Sequence, residues 1–277
     1  MNPVGKALWL IESMIESEIS LGEIAEFSGV SRYHLSRAFG AVTGRSVMRY
    51  VRGRRLSEAA RQLAAGAGDI LTLALDTGYG SHEAFTRAFR DQFGCTPEAV
   101  RAEGHFDNLN LVEPIRMDET LFVELEAPRL DSCGPLLIAG LGDRYRFETN
   151  QGIPLLWQRF VPHLGSVPGQ VGAVTYGVCC NADGAGNFDY IAGVEVSGFD
   201  ELPAEFSRVR IPAHRYAVFS HRGHISAIRA TTYTIWNKWL PASGHTLADA
   251  PDFERYDQRF DGRTGQGVVE IWLPIRG

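Results

Sequence analysis

Two short segments, LSRAF at 35–39 and FTRAF at 85–89, repeat at an offset of 50 residues, and their surroundings repeat with them. A glycine follows each phenylalanine by five residues, Gly44 and Gly94. Upstream, Ala25 precedes Gly29 by four, as Ala74 precedes Gly78. Two helices that cross steeply need a small residue where they touch, and Ala25 and Ala74 supply it. The turn between them needs a residue tolerant of positive φ, and Gly29 and Gly78 are that residue. Ser31 and Ser81 stand where N-caps belong. Leu35, Ala38 and Phe39, and Phe85, Ala88 and Phe89, give each second helix a buried stripe. The pattern predicts two helix-turn-helix units in tandem.

Between the units, residues 46–65 predict one long helix with an apolar face of Tyr50, Leu56, Ala59, Ala60 and Leu63. Gly53 in its interior should cost about 1 kcal/mol relative to Ala. Val4, Ala7, Leu8, Ile11 and Ile15 recur at helical spacing and predict an amphipathic helix before the first unit. The net charge of −6 over 277 residues seems to argue against nucleic acid. It is unevenly placed. Residues 1–106 carry 12 basic and 12 acidic residues, and the remainder carries 15 and 21. Arg45, Arg49, Arg52, Arg54, Arg55 and Arg61 face only Glu58 within the long helix and its approach.

These residues resemble the DNA-binding domain of AraC/XylS-type transcription regulators. The carriers are SLGEIAEFSGVSRYHLSRAFGAVTG, YVRGRRLSEAARQL and ALDTGYGSHEAFTRAFRDQFGCTPEAVR, closed by Phe93, Gly94, Pro97 and Arg101. A recognition helix reads base edges in the major groove with its N-terminal residues. In the first unit these are Arg32, Tyr33, Ser36 and Arg37; in the second, His82, Glu83, Thr86 and Arg87. Arg37 and Arg87 hold the same repeat position and suit bidentate contacts to guanine. The resemblance implies base contacts at Tyr33, Ser36, Arg37, Glu83, Thr86 and Arg87. Ser36 is shorter than the glutamine some relatives use, and Glu83 replaces a neutral amide, so no preferred DNA sequence carries over. Arg45, Arg49, Arg52 and Arg54 are expected on phosphates, setting affinity and salt dependence.

A second repeat lies further on. Residues 157–165 read WQRFVPHLG and 236–244 read WNKWLPASG, each the end of an amphipathic helix closed by Pro and Gly. Strand-like runs at 136–141, 171–180, 188–196, 206–211, 215–220, 252–260 and 268–275 surround them. The fold expected is two domains. An all-α domain with tandem helix-turn-helix units spans 1–105, a linker 106–117, and an α+β domain 118–277. The last is built of duplicated strand-helix-strand-strand units in an antiparallel sheet, with two helices on one face. It is similar to the GyrI-like effector-binding domain, on the paired Trp helices, RYAVFSHRG, FERYDQRF and EIWLPIRG, and the domain order is that of Rob-like regulators.

Strand alternation places Glu254, Tyr256 and Phe260 on one face and Glu270 and Trp272 on one face of the next strand. Val269, Ile271, Leu273 and Ile275 should meet the helices, leaving the acids to line a cleft on the other side. A carboxylate among aromatic rings suits a bulky, flat, hydrophobic molecule, cations included. The resemblance implies that Glu254, in FERYDQRF, is the ligand's counter-charge. Glu270 is the second candidate, with Tyr176, Tyr190, Trp236, Tyr256 and Trp272 as lining. An ordinary salt bridge to Arg255, Arg259 or Arg144 is the competing role for either acid. Trp157 and Trp236, spaced with Phe160 and Tyr233, also fit a helix core.

The function expected is a transcription regulator that binds promoter DNA and a small-molecule effector, with a polymerase subunit as a further partner. It is expected to be cytoplasmic, with no membrane partner, no cofactor, no metal and no catalytic residue. The first twenty residues lack a signal-peptide core. No P-loop, dinucleotide fingerprint or nucleophile elbow is present. His221 and His224 lack a third ligand nearby, and the four cysteines follow no disulfide or metal spacing. Two other readings of the second half stand beside this one. One is a hydrolase in which Glu254 acts as general base on water. The other is a module that binds a protein such as a polymerase subunit.

Overall fold

The structure is a computed structural model describing residues 2–115, 122–146, 149–183 and 185–276. Its helical half runs α1 (Pro3–Ser13), α2 (Leu21–Ser28), α3 (Arg32–Thr43), α4 (Val47–Ala64), α5 (Ile70–Asp76), α6 (His82–Phe93) and α7 (Pro97–Glu103). The repeat pairs α2–α3 with α5–α6. Ser31 caps α3 by accepting from the His34 amide, and Ser81 caps α6 by accepting from Ala84. Gly29 and Gly78 turn the chain at φ 74° and 82°, values that cost a side-chain-bearing residue energy. The predicted stripes are buried: Leu35, Ala38 and Phe39 in one unit, Phe85 and Phe89 in the other.

Helix α4 is the spine of this half, and its arginines are less available than the charge count implies. Arg54, expected on phosphate, is buried. It binds Glu12 (2.9 Å), Glu58 (2.9 Å) and the Val112 carbonyl (3.1 Å). A guanidinium so enclosed needs those acceptors, since burying an unpaired charge is costly. Arg55 donates to the Ile15 and Ser17 carbonyls, and Arg61 to Glu58 and Glu113. The segment read as a linker is strapped along α4: the Val112 amide donates to Ser57 Oγ at 2.8 Å and the Ile115 amide to the Tyr50 hydroxyl at 3.1 Å. The expected boundary at 117/118 lies outside the described residues.

The second half is one antiparallel sheet with strands β1 (Arg129–Cys133), β2 (Leu136–Arg146), β3 (Gln170–Cys180), β4 (Asn187–Val196), β5 (Ser207–Ile211), β6 (His214–His224), β7 (Thr246–Leu247), β8 (Asp252–Asp261) and β9 (Gln266–Arg276). The order β1-β6-β9-β8-β3-β4-β2-β5 places the two repeats side by side, joined at β3 and β8, with β7 on β9. Helix α8 (Ile153–Phe160) belongs to the first repeat. In the second, α9 (Ile228–Thr234) runs through a π-helical segment (Ile235–Trp239) into α10 (Leu240–Ser243). The short, polar β1 pairs with β6 of the other repeat, and residue patterning had not marked it as a strand.

Residues that pair across antiparallel strands share a face. One such row runs Leu141, Ala192, Gly177, Glu254, Ile271, Phe219. Leu156 and Phe160 of α8 pack at one end of this face. Ile235, Trp236 and Leu240 pack at the other. Both helical elements therefore lie on one face, as expected, with Gly177 and Glu254 at its centre. The other expectation fails. Glu254 is on the helix-bearing face, and Glu270, one strand away and paired with Arg255, is on the opposite face. A cleft lined by both acids does not form.

Gly53 explains itself through the strap: a Cβ there would stand 2.8 Å from a Val112 methyl. Gly53→Ala should therefore fail to yield the usual helix-propensity gain of about 1 kcal/mol, and should yield it once Val112→Ala makes room. Urea denaturation of the four chains checks this; equal effects in both backgrounds would show that the strap does not touch α4.

Candidate DNA-reading and effector sites

The duplicated helix-turn-helix units present their reading helices differently. In α6, Glu83 and Arg87 are exposed, while His82 is half-buried and meets Glu98 at 3.0 Å. Thr86 is half-buried, with its hydroxyl unpartnered. In α3 only Arg32 of the four expected readers is exposed. Ser36 is 2% exposed. The Arg37 side chain is 16% exposed and ion-paired with Asp252 of β8. Its Nε donates to Oδ1 at 3.2 Å and its terminal nitrogen to Oδ2 at 2.5 Å. The guanidinium also stacks over Phe188 of β4, 5.4 Å from the ring centre. The Tyr33 hydroxyl donates to the Cys179 carbonyl at 2.7 Å and lies 3.2 Å from Asp252 Oδ1. Of the expected phosphate contacts, Arg49 and Arg52 are exposed and Arg45 is half-buried.

Asp252 sits two residues before Glu254 on the same face of β8. Glu254 is held from three elements. Tyr190 of β4 and Tyr256 of β8 each donate a hydroxyl to its Oε2 at 2.8 Å. Trp157 of α8 donates its indole N–H to the Tyr190 hydroxyl at 3.0 Å and meets the Tyr256 ring edge-on at 5.0 Å. Gly177 faces this cluster from β3, and a Cβ there would stand 2.7 Å from Glu254 Oε2. The space a Cβ would fill is taken by the Tyr190 hydroxyl and the Glu254 carboxylate, which glycine allows to meet there. Burial pushes the Glu254 carboxyl above its ordinary value, against the opposing pull of the two tyrosines and Arg37. Burial would raise Asp252 too, but the Arg37 guanidinium holds it below the usual carboxylate range.

Of the expected ligand residues, the structure brings Glu254, Tyr190 and Tyr256 together. Glu270 is on the other face, ion-paired with Arg259 (2.8 Å), Arg255 (3.2 Å) and Arg129 (3.4 Å) and bonded to the Trp272 indole. Burial opposes its ionisation, but Arg259, Trp272 and Arg129 hold its carboxyl low. The salt-bridge role applies to Glu270 and not to Glu254. Tyr176 and Trp272 pack with Phe253 and Tyr216 in the core on Glu270's side of the sheet. Trp236 is buried against His34 of α3, ring centres 6.2 Å apart. Trp157, whose helical spacing also fits a helix core, joins the Glu254 cluster. Asp252, Phe188 and His34 were not anticipated; only Asp252 carried a signal, as a second acid in phase with Glu254. Among the described residues no group of His, Cys, Asp or Glu is placed to hold a metal, and His221 is bonded to Thr231 and the His224 carbonyl. No helix of the described residues is long and apolar enough to cross a membrane.

Tandem helix-turn-helix units joined to a duplicated sheet with a carboxylate enclosed by aromatic side chains define a class: the DNA-binding regulator that carries its own small-molecule domain. Comparison with known families agrees. The GyrI-like small molecule binding domain matches residues 128–276, and a helix-turn-helix domain matches residues 24–103. The chain belongs to the GyrI-like family, with an AraC-type helix-turn-helix domain ahead of it, and is a DNA-binding transcriptional regulator. Similar relatives include the transcriptional regulator Rob of Salmonella typhimurium, 27% identical over 97% of this chain and 96% of its own. The right origin-binding protein of Escherichia coli is 27% identical over the same shares. The multiple antibiotic resistance protein MarA of Salmonella typhimurium is 38% identical over 33% of this chain and 72% of its own.

His34 offers a test of how the halves are joined. Burial lowers its pKa from 6.5 to about 4, so it is neutral when folded. A depressed folded pKa contributes stability that is full above about pH 6.5 and is lost as pH falls toward 4. The loss should reach on the order of 3 kcal/mol, at about 1.4 kcal/mol per pKa unit. Urea unfolding between pH 7.5 and 4.5 should therefore show a steeper fall for wild type than for His34→Gln. Parallel curves would mean that His34 is not buried in this way.

Proposed function

We propose that the chain is a one-component regulator that reads promoter DNA through α3 and α6 and takes a hydrophobic, aromatic effector, cations included, at Glu254. The observation that carries the effector half is the enclosed Glu254 carboxylate between Tyr190, Tyr256 and Trp157, at the centre of the face that carries both helical elements. Rings around a partly dry carboxylate attract a flat cation and reject a hydrated one, because a strongly hydrated ion loses more on entering than it gains. Arg37 and Arg87 are the base readers in this proposal, while Arg49 and Arg52 face phosphates.

Glu254→Gln should lower the affinity of the dye cation crystal violet at least about tenfold, about 1.4 kcal/mol, read by tryptophan quenching. The melting temperature at pH 7.5 should not fall, since the substitution removes a buried charge. Unchanged dye affinity would remove Glu254 from the site. On the DNA side, Arg37→Ala with Arg87→Ala should abolish specific binding to a duplex selected from a random pool by the wild-type chain. Arg52→Ala should weaken all sequences alike and reduce the salt slope by about 1. Retained specificity in the double variant would sink the assignment.

The enclosed carboxylate with a raised pKa also suits a general base, so hydrolysis of a reactive electrophile is the second reading. Turnover lost in Glu254→Gln would favour it; stoichiometric binding without turnover would exclude it.

A further inference from the structure

The two copies of the helix-turn-helix differ in one physical respect. At the matched repeat position, Arg87 is open to solvent and Arg37 is not. Arg37 lies on Asp252 and Phe188, and these belong to the strands that carry Glu254 and Tyr190. The registers are explicit. Asp252 pairs with Cys179, which pairs with Tyr190. Glu254 pairs with Gly177 in the neighbouring row. The seat of Arg37 and the carboxylate proposed for the effector are thus adjacent rows of one face, about 7 Å apart along the strand. The chemistry of the seat is also that of the proposed site: a planar cation, an aromatic face and a carboxylate.

Resting on the effector reading above, we propose that α3 is the resident occupant of the row beside the effector site. Arg37 serves there as an internal cation, so that an effector taken up at Glu254 releases α3 to DNA. The contact covers the reading face itself. Tyr33 is bonded to the Cys179 carbonyl, Ser36 is 2% exposed, and His34 packs on Trp236. A helix so covered cannot lie in a major groove, where the same side chains must reach base edges. DNA therefore has to break the Arg37–Asp252 pair before the first unit can read. A buried ion pair can be traded in this way. Its attraction is offset by the desolvation of both partners, so the docked and released states can lie within a few kcal/mol. An aromatic cation on Asp252 and Glu254 replaces what Arg37 gives up. By linkage, effector and DNA then favour the same released state. Until that release, only the second unit presents the arginine of this matched repeat position.

The test uses the full chain and the duplex selected above. Asp252→Asn leaves Arg37 without its anionic partner and should tighten that duplex by about 5–150-fold, the ordinary range of a coupling between sites. Asp249→Asn removes the same charge from an exposed position nearby and should change the affinity little. If Asp252→Asn binds no more tightly than Asp249→Asn, the clamp does not exist. Should Asp252→Asn fail to fold, the wild-type chain still decides. Cys179 is buried in the row that carries Asp252, with the Tyr33 hydroxyl on its carbonyl, so saturating duplex should raise its maleimide labelling rate at least about tenfold. Cys133, on the opposite face of the sheet, serves as the internal control. A Cys179 that stays protected in the DNA complex overturns the proposal.

Crystal violet separates this proposal from the reading it rests on. The expected result is a dye that tightens wild-type DNA binding, has no such effect on Glu254→Gln, and leaves the gain in Asp252→Asn in place. A dye that binds at Glu254 without changing DNA affinity overturns the coupling. A dye that does not bind, while Asp252→Asn still tightens DNA, supports the clamp and overturns the effector reading instead.

Discussion

The pairing of β3 with β8 is the constraint on which the functional geometry depends. These two strands are the seam between the halves of the duplicated sheet. Their register sets Gly177 opposite Glu254 and Cys179 opposite Asp252. A slip of one residue would send both acids to the other face, into the aromatic core around Phe253 and Trp272. With the observed register, Glu254 lies at the centre of the helix-bearing face and Asp252 lies under α3. The seam thus sets where Glu254 lies on that face and which part of the helical half rests on it.

The two carboxylates, in neighbouring rows of that face, are treated differently by their surroundings. Asp252 is neutralised by a guanidinium and stays below the ordinary carboxylate range. Glu254 accepts from two tyrosine hydroxyls and is less strongly drawn by Arg37, and burial leaves it raised. A partner that brings positive charge and apolar surface relieves Glu254 without needing to supply a hydrogen-bond fork. Glu270 shows the contrast on the opposite face. Three arginines and an indole already satisfy it, so a ligand would have to compete with all of them.

Much of the helical half was legible because its signals are local. Caps, turn glycines and 3.6-residue stripes need only neighbours in sequence, and Ser31, Ser81, Gly29 and Gly78 do what their spacing implies. The strands and the paired Trp helices were legible for the same reason. The face carrying the acids was misread because alternation gives the parity along one strand but not the offset between two. Glu254 and Glu270 each alternate correctly, yet their strands pair so that the two point to opposite sides. Arg54 was misread because a cluster of arginines looks solvated until Glu12 and the Val112 carbonyl arrive from elsewhere in the chain. The cover over Arg37 could not be read at all, since Asp252 lies 215 residues away.

The central claim is that the cleft and the first recognition helix belong to one equilibrium. Its most direct test is reciprocity. Calorimetric titration of the intact chain with crystal violet, free and saturated with the selected duplex, is corrected for dye taken up by the duplex alone. Tighter dye binding to the DNA-bound chain is expected, by the same factor by which the dye tightens DNA binding. Equal dye affinities in the two titrations would contradict it.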